Sequence, residues 1–294
     1  MKVLITGANG FSAHYLAKAL RTATEGYKLY FTSLTPGISQ EFDNYFPCDL
    51  NDLKAVESLI ETIRPDQIYH LAGRFTNDYT SNYKANVLTT KNILDSLLAS
   101  KIACRILLIG SAAEYGAVDP KDNPIHESHP LRPVTVYGLT KVYQSHLMDY
   151  YCRAHGLDIV LARTFNLLGK GMSNHLFVGR VYEQIDKYKR GEISRITVGN
   201  LSNKRDYIDI KDAVMHYQAI MAYGTTNEIY NVGSGKPTTI ANLLIHLLEE
   251  AGLDQNIIEE TVHHANNKVD VVNVYANINK IKAMEAACPK SMLI

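Results

Sequence analysis

The chain has 294 residues, 46% of them hydrophobic, which is enough for one large α/β domain, or a domain with an appended lobe, around a sizeable core. Lys plus Arg and Asp plus Glu number 30 each, so the formal net charge is zero and neither nucleic acid nor an anionic membrane is an expected partner. Cys48, Cys104, Cys152 and Cys288 form no CxxC pair, and no apolar N-terminal run of signal or membrane length precedes the first strand-like stretch. The expectation is a reduced, soluble, cytoplasmic protein without a metal site.

In chain order, Val3 to Ile5 read as a short buried parallel strand, followed at once by TGANGFSAH, Thr6 to His14. Gly7, Gly10 and Ala13 stand at a GxxGxxA spacing, and Leu16, Ala19 and Leu20 then recur at helical intervals. Strand, glycine turn and helix come in the order of a dinucleotide-binding unit, where missing Cβ atoms let the backbone approach a pyrophosphate at a helix N-terminus. An ordinary βα turn that uses glycine only for positive φ has the same spelling.

YKLYFT, QIYHLAG, ACRILLIG and DIVLART read as further strands. They alternate with helical runs at AVESLIETI, NVLTTKNILDSLLA and Leu139 to Ala154, which predicts a parallel sheet covered on both faces. From Asn166 the rhythm breaks into glycine-rich loops and shorter elements, with one more amphipathic helix at ANLLIHLLEEAG. The expected division is a doubly wound dinucleotide-binding domain over residues 1–165, and a smaller α/β lobe over 166–294 that folds across the strand ends and returns some segments to the sheet.

Ser111 ends the strand ACRILLIG, and Tyr137 and Lys141 follow in YGLTK. Positions i and i+4 share a helix face, so phenol and ammonium point the same way, and the ammonium is expected to lower the phenol pKa. Such a tyrosine is a usable acid or base near neutral pH, and Ser111 can hydrogen-bond the same substrate oxygen. With 19 tyrosines in the chain, the YxxxK pair by itself means little.

Taken together, TGANGFSA, HLAG at 70–73, GSAAEYG at 110–116, YGLTK and RTFN at 163–166 resemble the extended short-chain dehydrogenase/reductase family over nearly the whole chain. The resemblance implies a Rossmann-type fold, a nicotinamide cofactor, a Ser111/Tyr137/Lys141 catalytic set and a lobe that holds a nucleotide-diphosphate sugar. Cofactor contacts are implied for Gly7, Asn9, Gly10, Phe11, Thr32, Ser33, Asp49, Leu50, Leu71, Ala72, Gly73, Asn86 and Thr164, besides Tyr137 and Lys141. For Asp49, a helix N-cap is the competing role. Thr32, Ser33 and Leu34 end the second strand without the carboxylate that NAD-preferring members place there, which favours NADP(H). NAD(H) stays open, because no arginine between Arg21 and Arg64 can pair with a 2′-phosphate.

Substrate contacts are implied for Ser111, Ala112, Glu114, Asn166, His175, Val198, Asn200 and Arg205. Arg205 suits a diphosphate, although Asp206 beside it also allows a surface ion pair. A loop histidine such as His175 is more often solvated than catalytic. Within the family, Ala112 and Ala113 stand where 4,6-dehydratases carry acids and 3,5-epimerising members a cysteine base, which leaves hydride transfer. The motifs are most similar to the reductases that act on GDP-4-keto-6-deoxymannose to make GDP-rhamnose. A C4 epimerase with tightly held NAD shares the same three residues, and a non-catalytic dinucleotide sensor shares the fold. Family members pair as homodimers through four helices, which here would come from NVLTTKNILDSLL and the YGLTK segment. The tail from Asn266 lacks the Arg-Pro pair and later aspartate common among relatives, which bears on the grip on the nucleotide.

Overall fold

The computed structural model describes residues 1–23, 26–35, 43–261 and 273–287. Cys288 and parts of the atypical tail, 266–272 and 288–294, lie outside the described residues. Seven parallel strands form the main sheet: β1 (Lys2–Thr6), β2 (Lys28–Ser33), β3 (Tyr45–Pro47), β4 (Gln67–His70), β5 (Arg105–Ser111), β6 (Asp158–Thr164) and β10 (Ile229–Val232). Their order across the sheet is β10-β6-β5-β4-β1-β2-β3, as expected for a doubly wound Rossmann-type fold.

The strand sequences explain why both faces are covered. Val3 and Ile5 face one core and Leu4 the other, and all three have no exposed surface, so β1 is apolar throughout instead of alternating. On the first face lie α1 (Phe11–Ala23) and α7 (Ile210–Tyr223), packed with Leu16, Leu20, Val214 and Ile220. On the second lie α2 (Leu53–Ile63), α4 (Thr89–Ser100) and α5 (Val136–His155). A short helix, α3 (Tyr79–Tyr83), runs into α4 through a π-helical turn at Lys84–Leu88.

Helix ends follow local chemistry. Helix α5 starts three residues earlier than its periodicity indicates, because Thr135 caps it by accepting from the Gly138 amide at 3.0 Å. It stops at Gly156, whose φ of 70° only glycine takes readily. The N-cap of α2 is Asp52, which accepts from the Lys54 and Ala55 amides. The capping alternative for Asp49 is thereby excluded, since its carboxylate serves the Asn51 amide two residues on and stays exposed.

The smaller lobe holds β7 (Asn166–Leu168), β9 (Lys204–Asp209), β11 (Pro237–Thr239) and β13 (Asn273–Val274) in one sheet, and β8 (Ile196–Val198) with β12 (Ile258–Glu260) in another. Helices α6 (Phe177–Lys189) and α8 (Ile240–Ala251) close a separate core around Val181, Ile185, Leu244 and Leu248. Strand β10, helix α7 and helix α9 (Asn279–Ala286) rejoin the main sheet's core. The atypical tail is therefore anchored where described: β13 runs parallel to β9, and the Ala276 amide donates to buried Asp206 at 3.0 Å.

His70 ends β4 without accessible ring surface, bonded to Thr6 and Thr90, and burial lowers its pKa to about 3. Unfolded histidine takes its proton near pH 6.5 and the folded ring refuses it, so this residue costs the fold stability as pH falls from about 6.5 toward 3, by up to about 1.4 kcal/mol per pH unit. Urea unfolding across that range should show the slope, and His70→Gln should flatten it. Equal slopes in the two proteins would remove His70 as the cause.

Candidate active site

The carboxyl ends of β1, β4, β5 and β6 converge where the strand order switches direction, the place at which doubly wound sheets bind ligands. Gly7 follows β1 with φ of 68°, and a Cβ there would lie 2.8 Å from the Ala72 backbone. Glycine is thus required both for its conformation and for the close approach of this turn to the Leu71–Gly73 segment after β4. Gly10 donates to the Gly7 carbonyl at 2.8 Å and leads into α1, whose first amides face the turn.

Around this cradle, Asn9 reaches Thr35 Oγ1 at 3.1 Å, and Phe11 leans against Tyr15 and the Gly169 loop. Thr32 is fully buried with a hydroxyl that has no partner among the described residues, while its carbonyl accepts from the Ala8 amide. Ser33 is half-buried beyond it and Leu34 is 67% exposed, so no carboxylate ends β2. Asp49 is exposed and Leu50 packs in the core. Gly73 lies close enough to Lys141 that a Cβ would stand 3.5 Å from Nζ and 3.0 Å from Asn86 Oδ1. A glycine turn at a helix N-terminus, a strand end without a carboxylate and a glycine floor beside a lysine fit a nicotinamide dinucleotide.

Two expected cofactor contacts, Asn86 and Thr164, make hydrogen bonds within the protein. Asn86 is fully buried, holding both backbone polar groups of Arg74 and the Thr140 hydroxyl, so it shapes the turn at Gly73. Thr164 is nearly buried, with its hydroxyl 2.9 Å from Tyr217 Oη.

Ser111, Tyr137 and Lys141 do come together. Ser111 ends β5 and caps a single 3-10 turn at Ala112–Glu114; its hydroxyl takes the Ala113 amide at 3.2 Å and hydrogen-bonds the Tyr137 phenol. Lys141 Nζ sits 5.9 Å from the Tyr137 ring centre and donates to the Ile109 carbonyl at 2.8 Å. The expected lowering of the phenol pKa is corrected: burial pushes Tyr137 up to about 12, against the Ser111 hydrogen bond and with the charge of Glu114 adding to the rise. Burial likewise pulls Lys141 down to about 8, opposed by Glu114. Desolvation is the largest cause on both groups, so Tyr137 carries its proton at neutral pH.

Glu114, expected at the substrate, has no exposed surface. Its carboxylate accepts from the Ser111 amide at 2.8 Å, from Ser145 at 2.6 Å and from Arg163, which is itself 1% exposed, at 2.8 Å. It braces Ser111 from behind, because the 3-10 turn rotates residue 114 back under the strand end. Ala112 and Ala113 remain half-exposed at the front with no ionisable group.

The lobe adds a cleft of about 580 Å³ lined by four expected residues, Asn166, Val198, Asn200 and Arg205. Asp206 is fully buried and takes the Ser234, Gly235 and Ala276 amides, so the surface ion pair with Arg205 is excluded. Neighbouring residues on β9 point to opposite faces, which sends Arg205 into the cleft and Asp206 into the core. His175 is exposed and does not line the cleft; its carbonyl holds Arg180 Nη1 at 3.2 Å. Arg180, a second guanidinium in the cleft, was not expected from the motifs, though it shares a helical face with Phe177, Val181 and Gln184 at i, i+3, i+4 and i+7. Phe75, half-exposed and edge-on to Tyr137 at 5.1 Å, is a further neighbour of the tyrosine that no sequence pattern marks, since it stands in a loop.

Residues 3–233 match the NAD dependent epimerase/dehydratase family. The chain belongs to that family. Among curated proteins it is 27% identical over 265 residues to the GDP-6-deoxy-D-mannose reductase of Pseudomonas aeruginosa, covering 88% of this chain and 83% of that one. It is also 27% identical to the GDP-6-deoxy-D-talose 4-dehydrogenase of Aggregatibacter actinomycetemcomitans, with the same two coverages. Among solved structures, RMD from Pseudomonas aeruginosa complexed with NADPH superposes with a TM-score of 0.82 at 24% identity, covering 100% of this chain and 97% of that one. The Thermus thermophilus UDP-glucose 4-epimerase complexed with NAD gives 0.84 at 23%, covering 99% and 94%. Both likenesses establish the fold. No helix among the described residues is long and apolar enough to cross a membrane.

Proposed function

We propose that this member of the family is an NADP(H)-dependent oxidoreductase that reduces the 4-keto group of a nucleotide-linked 4-keto-6-deoxy sugar, with a GDP-sugar favoured. The observation that carries the reading is Tyr137, protonated at neutral pH and held by Ser111, with only alanines at 112 and 113. Reduction of a ketone needs one proton on oxygen and no base at carbon, and that is the equipment present.

Bound in the cleft, the dinucleotide supplies the hydride. Gly7, Gly10 and the first turn of α1 hold the pyrophosphate, and Lys141 holds the nicotinamide ribose. Ser111 donates to the ketone oxygen and Tyr137 delivers its proton there. Arg205 and Arg180 take the sugar diphosphate, while Val198 and Asn200 lie along the base. The curated relatives with GDP-sugar names support the nucleotide, and the lack of a carboxylate at Thr32, Ser33 and Leu34 supports NADP(H) over NAD(H). A C4 epimerase uses the same triad, but would retain NAD and consume none.

The test is NADPH consumption with 4-keto-6-deoxy sugars linked to GDP, dTDP and UDP, with NADH in parallel. The reading expects one NADPH per GDP-sugar, and slower turnover with the other bases. Interconversion of 4-hydroxy sugars by protein that purifies with NAD bound would establish the epimerase instead. A homodimer through α4 and α5 belongs to the same reading; light scattering should return the mass of two chains, and the mass of one would contradict it.

A further inference from the structure

Behind the catalytic lysine, a chain of buried polar side chains crosses from α5 to β1, and its hydrogen bonds can be oriented by counting protons. The Thr90 hydroxyl has one proton, which goes to the Asn86 carbonyl at 2.8 Å in the preceding helical turn. Thr90 Oγ1 therefore accepts from its two other neighbours, Gln144 Nε2 at 2.9 Å and His70 Nε2 at 3.0 Å. With its proton on Nε2, His70 accepts at Nδ1 from Thr6 Oγ1 at 2.8 Å, and Thr6 in turn accepts the Ala72 amide at 3.1 Å. Along this chain each hydrogen bond has one donor and one acceptor, and no member can be reversed alone.

The consequence falls on Gln144, which has no exposed surface. Because its NH₂ must face Thr90, its carbonyl faces Lys141 Nζ, at 3.0 Å. A flipped amide would set NH₂ against the ammonium and leave its oxygen opposite a hydroxyl with no proton to give. The Ile109 carbonyl and Gln144 together take two of the three ammonium protons. Tyr137, Lys141 and Gln144 follow at i, i+4 and i+7, one face of α5. The chain is no proton wire, since a carboxamide does not relay protons and His70 has its only ring proton engaged.

We propose that Gln144 is a positioning residue for Lys141: its side-chain carbonyl, locked in orientation by Thr90, fixes the ammonium at the floor of the cleft beside Gly73. This rests on the reading of Lys141 as the ribose-holding group, yet its main test needs no turnover.

Titrating the lysine Nζ signals of the ¹⁵N-lysine-labelled chain by NMR, with Lys141 assigned through Lys141→Arg, gives its midpoint in wild type, Gln144→Met and Gln144→Glu. Gln144→Met keeps the bulk and removes the acceptor, so the midpoint should fall from about 8 by roughly one unit; Gln144→Glu adds a carboxylate at the same place and should raise it by roughly one unit or more. NADPH affinity, read by its fluorescence at neutral pH, should weaken about tenfold in Gln144→Met and stay near wild type in Gln144→Glu. If Gln144→Met does not fold, the upward shift in Gln144→Glu carries the test. A Lys141 midpoint that stays in place in every folded variant would overturn the proposal. Because the midpoint is read without substrate, failure of the reductase reading would leave this result standing on its own.

Discussion

Replacing Tyr137 with Phe is expected to slow ketone reduction by about 10²- to 10⁴-fold, the range for removing one positioned acid, while NADPH affinity stays close to wild type. The phenol is held by Ser111 and by its helix, so a phenyl ring fits the same space and keeps its edge contact with Phe75. The comparison uses stopped-flow NADPH oxidation for turnover and fluorescence titration for binding. Retained turnover would remove Tyr137 as the donor, whereas parallel loss of binding would mean that the substitution had damaged the cleft. The wild-type pH profile carries the same assignment. Tyr137 at about 12 remains an acid throughout the usual range, and Lys141 at about 8 loses its charge first. Turnover and dinucleotide affinity should therefore hold below pH 8 and decline together above it.

The second large effect concerns stability. Glu114→Ala leaves Arg163 charged, 1% exposed and without its carboxylate, and such a break costs about 3–5 kcal/mol. At the length of this chain, 294 residues, that corresponds to a fall in Tm of roughly 5–8 °C. Arg163→Met should cost a similar amount, and the double variant Glu114→Leu/Arg163→Met should recover much of the loss, because replacing both charges by apolar groups removes the unpaired one. Calorimetry of the three variants checks this. Additive losses in the double variant would show that the pair is not the source. Glu114→Ala should also lower turnover, since its carboxylate receives the Ser111 amide at 2.8 Å and so fixes the end of β5.

The glycine turn, the strand–helix alternation and the YxxxK face were legible in the sequence because each is a local pattern with a geometric consequence. The role of Glu114 was not, because the rotation of one 3-10 turn decides whether residue 114 points forward to substrate or back to Arg163. The phenol pKa is not legible in the sequence for a related reason: spacing on a helix places phenol and ammonium on one side, but only the packed structure shows how much water each has lost. Strand alternation was available for Arg205 and Asp206, and applied to them it separates a cleft residue from a core residue without any coordinates. Arg180 was accessible to the same kind of reading through its helical face. The i, i+4, i+7 spacing puts Gln144 on the Tyr137–Lys141 face, but its importance lies in Thr90 on α4, which meets it only in the folded protein.

The central claim is that hydride reaches the sugar at C4 and is not returned. Incubating the protein with NADPH deuterated at the transferring position and GDP-4-keto-6-deoxymannose, then analysing the sugar by mass spectrometry and NMR, tests it directly. The account predicts one deuterium per product, located at C4, with an equal amount of NADP⁺ formed. Unlabelled product, or no dinucleotide oxidised while the sugar changes configuration, would contradict it.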